Sequence, residues 1–134
     1  MSAAPGLLAV ASNGGAARPT APAACRYKVH SMLGCGTFGQ VALCSTESGL
    51  EVAVKVIKNQ PAYFNQAIVE ARILKLLNET HDPTGEHHVV RILDYFVHAS
   101  HLCIVFERLH ANLYEVLKWN HYRGLSLSLV SIIV

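Results

Sequence analysis

The residues best equipped for chemistry are three glycines, a lysine and a glutamate: Gly34, Gly36 and Gly39, then Lys55, then Glu70. They begin in the stretch Leu33-Gly34-Cys35-Gly36-Thr37-Phe38-Gly39-Gln40-Val41. Three glycines in six positions let a backbone turn sharply and approach a ligand with no Cβ in the way. Such a loop can aim successive N–H groups at phosphate oxygens. Gly34 and Gly39 have the spacing of the GxxxxGK[ST] phosphate loop, but Gln40 and Val41 stand where that motif needs Lys and Ser or Thr. The same glycines satisfy the G-x-G-x-x-G spacing of dinucleotide-binding folds, which also require a helix after the last glycine and an acid about 20 residues further on. Gln40 to Cys44 is short and apolar and reads as a strand, and Lys58, Asn59 and Gln60 occupy the place of the acid.

The elements that must position these residues follow from the apolar pattern. Cys25 to Leu33 and Gly39 to Thr46 read as two strands joined through the glycine loop, and Leu50 to Ile57 as a third. The third is apolar on both faces, so it reads as a buried strand with Lys55 in its middle. A buried ammonium needs a partner. Pro61 to Asn78 reads as a helix, since proline suits a first turn. Its core stripe is Tyr63, Ala67, Leu74 and Leu77, and Glu70 falls on that stripe. Two buried opposite charges, one on the strand and one on the helix, then satisfy each other. Asp82-Pro83-Thr84-Gly85 is a turn signal. Val89 to Val97 and His101 to Phe106 read as strands joined by His98-Ala99-Ser100. Asn112 is the expected N-cap of a helix over 112–120, with Glu115 completing a capping box, and Ser126 is the expected cap of a last helix. Five strands and one main helix with short connections imply an α+β fold, an antiparallel sheet packed on a helix.

Composition narrows the function classes. The chain has 134 residues, half of them apolar, and a net charge of +2, too small a field to suggest nucleic-acid binding. No apolar run is long enough for a membrane span. Cys25, Cys35, Cys44 and Cys103 show no C-x-x-C pairing and are expected as free thiols in a reducing compartment, cytoplasmic or nuclear. Cys35 is expected as a small neutral loop residue, with a redox-sensitive thiol as the alternative. His87 and His88 are adjacent, which suits a loop, and no metal site is expected. Residues 1–24 are rich in Ala, Gly, Pro, Ser and Thr, with Arg18 the one charged side chain, and are expected to form a disordered tail.

Strand, glycine loop, strand, turn at Glu47-Ser48-Gly49 and then Val52-Ala53-Val54-Lys55 together resemble the protein-kinase pattern G-x-G-x-x-G-x-V followed by V-A-x-K. The stretches from Val54 to Gln60 and from Ala62 to Ala67, Glu70, His101-Leu102-Cys103-Ile104-Val105-Phe106-Glu107, Asn112-Leu113-Tyr114-Glu115 and Arg123-Gly124-Leu125-Ser126-Leu127 are similar to the dual-specificity tyrosine-regulated (DYRK) kinases. Asp94-Tyr95-Phe96 and His-Leu-Cys-Ile are similar to their Yak-type branch. The resemblance implies a kinase N-lobe over 25–108, then the hinge and the start of the large lobe over 109–134. It implies ATP as cofactor, protein substrates and phosphoryl transfer to Ser or Thr, with tyrosine autophosphorylation. Gly34, Gly36 and Gly39 would let the loop, with Cys35, Thr37 and Phe38, close over the phosphates. Leu33, Val41 and Ala53 would sandwich the adenine, with Val90 behind it. Lys55 would hold the α- and β-phosphates and Glu70 would hold Lys55. Phe106 would be the gatekeeper, and Glu107 and Leu109 would read the adenine edge.

The kinase design also needs a catalytic-loop Asp, and an Asn and a D-F-G Asp that hold Mg2+. None of these is in the sequence. The chain is therefore expected to be a truncated kinase domain, inactive by itself. The alternative is a non-catalytic isoform acting as an interaction or dominant-negative module. An exposed apolar end at Leu125, Leu127, Leu129, Val130, Ile132, Ile133 and Val134 is expected in either case.

Overall fold

A computed structural model describes residues 26–133. The expected tail over 1–24, Cys25 and Val134 lie outside them. The strands are β1 (Tyr27–Cys35), β2 (Gly39–Thr46), β3 (Glu51–Ile57), β4 (Ile92–His98) and β5 (His101–Glu107). The helices are α1 (Pro61–Leu76), α2 (Leu113–Trp119) and α3 (Leu127–Ile133). The sheet runs in the order β1-β2-β3-β5-β4, and every neighbouring pair is antiparallel. The α+β expectation holds.

β3 is buried on both faces because its side chains alternate between two cores. Val52 and Val54 enter one with Ala42, Cys44, Phe96, Cys103 and Val105. Ile57 enters the other with Leu102, Ile104 and two alanines of α1, Ala67 and Ala71. Small side chains at Ala67 and Ala71 let the helix lie close on the sheet. Of the expected stripe, only Ala67 is fully buried; Tyr63, Leu74 and Leu77 are half-buried. Burial pushes the Cys44 thiol up to about 11 and the Cys103 thiol up to about 12, so both stay protonated.

The sheet is curled. β1 and β4 are its opposite edges, yet the Tyr27 ring stacks on Phe96 with centroids 5.6 Å apart. The Tyr27 hydroxyl donates to Asp94 Oδ2 at 3.2 Å. Burial, then the Asp94 charge, push that phenol up to about 12. Two register shifts in β1, between Val29 and Ser31 and between Met32 and Gly34, supply the bend.

Several boundaries differ from expectation, β3 and β5 by a single residue each. β1 begins at Tyr27 and runs on to Cys35, because its ladder with β2 continues through Gly34 and Cys35. α1 ends at Leu76 and passes into a π turn, Leu77–His81. β4 begins at Ile92 rather than Val89. The amide side chain of Asn78, in the π turn, takes the hydrogen bonds of Val90 and Ile92 that a strand neighbour would otherwise supply. The β4–β5 connection is two residues, Ala99 and Ser100, with His98 and His101 paired. Both have positive φ, 45° and 66°, as the tight I′ hairpin turn demands.

The capping box is as expected: Asn112 Oδ1 accepts from Glu115 N–H at 2.9 Å, and Glu115 Oε2 accepts from Asn112 N–H at 3.2 Å. Ser126 Oγ accepts from Leu129 N–H at 3.3 Å, so it caps α3. The apolar side chains of α3 are exposed, Leu127 by 86% and Ile132 by 77%.

Candidate functional site

The glycine loop comes down to three residues, Gly36, Thr37 and Phe38. Gly36 N–H donates to the Gly39 carbonyl at 2.9 Å and closes the turn. Lys58 N–H donates to the Phe38 carbonyl at 3.0 Å, which ties the tip to the end of β3. The Phe38 ring meets the Tyr63 ring of α1 edge-on. The three glycines differ in why they are glycine. A Cβ on Gly39 would lie 1.9 Å from the Val56 carbonyl oxygen, so the fold itself demands glycine there. A Cβ on Gly34 or Gly36 would meet nothing within 4 Å. Open space beside those two positions is what a loop approaching a phosphate chain requires. Cys35 and Thr37 are exposed, and Cys35 is a free thiol facing Gln40 in the ladder.

Lys55 sits between Val41 of β2 and Ile104 of β5 in register. Two residues along β3 on the same face, Ala53 lies between Leu43 and Phe106. The sheet thus brings Val41, Ala53, Lys55 and Phe106 onto one face, the face that α1 covers. Lys55 Nζ donates to both carboxylate oxygens of Glu70, at 2.8 and 2.9 Å. The pair was expected to be buried and is not. The two side chains are 26% and 38% exposed. A primary ammonium held by a carboxylate keeps its third proton free for an incoming anion.

Val90, Glu107 and Leu109 meet at a cavity of about 400 Å³, walled also by Gly85, His88, Val89 and Arg91. Glu107 is committed there: its Oε1 accepts from Arg91 N–H at 2.8 Å, and its own N–H donates to the Arg91 carbonyl at 3.0 Å. Leu33, on β1, is half exposed. The sequence reading missed Asn78, which holds both Val90 and Ile92. Its one local signal is a polar residue at the end of a helix with no glycine to stop it. Among the described residues no three His, Cys, Asp or Glu side chains converge as a metal site, and no helix is long and apolar enough to cross a membrane.

The arrangement can hold a chain of phosphates between a glycine loop and an ammonium, with an apolar sheet face beside it. A family described as "protein kinase domain" matches residues 27–128. A dual specificity protein kinase YAK1 homolog of Arabidopsis thaliana is 59% identical over 108 residues, 80% of this chain and 11% of the relative. The dual specificity protein kinase YAK1 of Saccharomyces cerevisiae is 52% identical over 106 residues, 78% of this chain and 13% of the relative. A dual specificity tyrosine-phosphorylation-regulated kinase 2 of Drosophila melanogaster is 44% identical over 106 residues, 14% of its length. The chain thus spans a small part of the length of each of these relatives.

Proposed function

This chain belongs to the protein kinase domain family, and from that premise we propose that it is the ATP-binding part of a Yak-type Ser/Thr and dual-specificity kinase catalytic domain. The observation that carries the reading is the two-oxygen grip of Glu70 on Lys55, together with the open space beside Gly34 and Gly36. Lys55 holds the α- and β-phosphates, and Glu70 orients the ammonium rather than touching ATP. Backbone N–H groups of the loop face the phosphate chain. Val41, Ala53 and Leu33 take the adenine faces, Val90 and Phe106 the back, and the backbones of Glu107 and Leu109 its edge. Fixed donors of this kind act by charge stabilisation and need no reorganisation on binding.

Mg2+ supplies charge neutralisation on the phosphates in kinases, and its usual ligands there, the D-F-G Asp and the catalytic-loop Asn, have no counterpart in these residues. The catalytic-loop Asp has none either. The 134-residue chain therefore binds ATP without transferring the γ-phosphate, and protein phosphorylation belongs to a chain that carries those residues. The test is calorimetric titration of the purified chain with ATP, alongside Lys55→Met. Binding that Lys55→Met abolishes supports the reading; equal binding by both overturns it. Transfer of phosphate to any protein above the Lys55→Met control would overturn the inactivity.

A second reading, a module that acts by binding a partner, is favoured by the exposed apolar side chains of α3. It predicts that polar substitutions at Leu127 and Ile132 abolish a phenotype of the expressed chain that Lys55→Met leaves intact.

A further inference from the structure

Two side chains on one helical stretch hold two different strands. Glu70, on α1, grips Lys55 of β3. Asn78, in the π turn that continues α1, grips the segment leading into β4. Its Nδ2 donates to the Val90 carbonyl at 3.2 Å, and its Oδ1 accepts from Ile92 N–H at 2.9 Å. Arg91, between them, turns its backbone the other way and exchanges two hydrogen bonds with Glu107. Residues 90–92 are therefore pinned from both sides.

The chemistry of that grip is specific. A carboxamide offers one acceptor and a donor group in one plane, so it can stand in for a peptide unit of a neighbouring strand. Asp has the acceptor and lacks the donor. Ala has neither. Asn78 is only 9% exposed, so water does not readily replace what is lost. The Arg91 guanidinium closes the arrangement by donating to the Asn78 carbonyl at 3.2 Å.

We propose that Asn78 is the positioning residue for the base end of the nucleotide cleft, acting through Val90. The proposal rests on the nucleotide reading above. Eight residues separate the two anchors, about 12 Å along a helix. Glu70 sets the phosphate end through Lys55, and Asn78 sets the wall behind the base.

The experiment compares adenosine, ATP and inorganic tripolyphosphate as ligands of the full chain and of Asn78→Asp and Asn78→Ala. Asn78→Asp lowers affinity for adenosine and ATP by about tenfold and leaves tripolyphosphate within about twofold. Parallel loss of all three ligands, following the fall in melting temperature, would make Asn78 merely structural and overturn the proposal. On the unaltered chain, adenosine slows hydrogen exchange of the Ile92 amide and tripolyphosphate does not, since coupling between a ligand and its positioning group is reciprocal. That measurement decides the matter should neither variant fold, and equal protection by both ligands overturns it. Failure of the unaltered chain to bind ATP or tripolyphosphate would overturn the nucleotide reading and this proposal together; binding of both with no base-specific loss overturns this proposal alone.

Discussion

The ring of Phe38 meets the ring of Tyr63 edge-on, with centroids 5.4 Å apart and planes at 80°. The tip of the glycine loop is thereby fastened to the first turn of α1. Edge-to-face pairs contribute about 1 kcal/mol, less where a ring is half in water, as Phe38 is. Phe38→Ala should therefore lower stability by less than about 1 kcal/mol. It should also speed hydrogen exchange at the Gly36 and Lys58 amides, which bond across the loop. Unchanged exchange there would mean that the hairpin ladder, not the ring, holds the loop.

The glycines should separate by role. Gly39→Ala places a Cβ against the Val56 carbonyl and should lower stability by about 3 kcal/mol, since strand backbone gives way poorly. Gly34→Ala and Gly36→Ala meet open space and should leave stability unchanged or raise it by about 0.5 kcal/mol. Both should weaken ATP binding. Urea midpoints and ATP titration of the three variants make the check; a stability loss at Gly34 or Gly36 would contradict it.

Glu70→Ala removes both acceptors from Lys55. The pair stands partly in water, so the stability loss should be about 1 kcal/mol rather than the several expected of a buried pair. ATP affinity should fall about tenfold as the ammonium loses its aim. A chain that binds ATP normally without Glu70 would show that Lys55 needs no orienting partner.

Ala99 and Ser100 occupy backbone positions of positive φ that side chains resist. Replacing them by Asn and Gly, the residues such a turn prefers, should raise stability by about 1 kcal/mol. The urea midpoint should rise with an unchanged slope. A fall would mean that the present side chains make contacts worth more than the strain.

Asp82 is 1% exposed, and its Oδ1 accepts from His87 N–H at 3.2 Å. Burial opposes its charge, but the N–H groups of His87 and Glu86, with the Arg91 and His87 charges, hold the carboxyl below its usual 3.8. A lowered folded-state value means that the unfolded chain takes up the proton first. The stabilisation is present above pH 3.8 and is lost as pH falls below it through the folded value. Asp82→Asn should flatten the acid side of the stability curve; an unchanged acid limb would assign it to other carboxylates.

Much of this molecule was legible because its signals are local. An apolar run with one lysine in it, a proline at a first helical turn and an Asn three residues before a Glu each state their structure within one element. Phosphate-loop chemistry was legible because glycine spacing constrains the backbone directly. The clamp of Asn78 was not, because its partners lie 12 and 14 residues away and a carboxamide shows no preference in sequence for backbone over water. The exposure of the Lys55–Glu70 pair was hidden for another reason. α1 is apolar outside its buried side as well, at Val69, Ile73 and Leu76, all about half exposed, so the pattern does not say where its cover of the sheet stops.

The curl of the sheet bears on self-association. An open sheet ends in two strands whose spare N–H and C=O groups can recruit a strand from another molecule. Here Tyr27 at one edge is joined to Asp94 and Phe96 at the other, and Arg26 adds a charge beside Asp94 at 3.5 Å. Where the edges meet they guard one another: a strand arriving at β4 would have to displace an aromatic stack and part an ion pair before forming its first ladder bond. Resistance to strand addition at that end is thus built from side chains that sit 67 and 69 positions apart in the sequence.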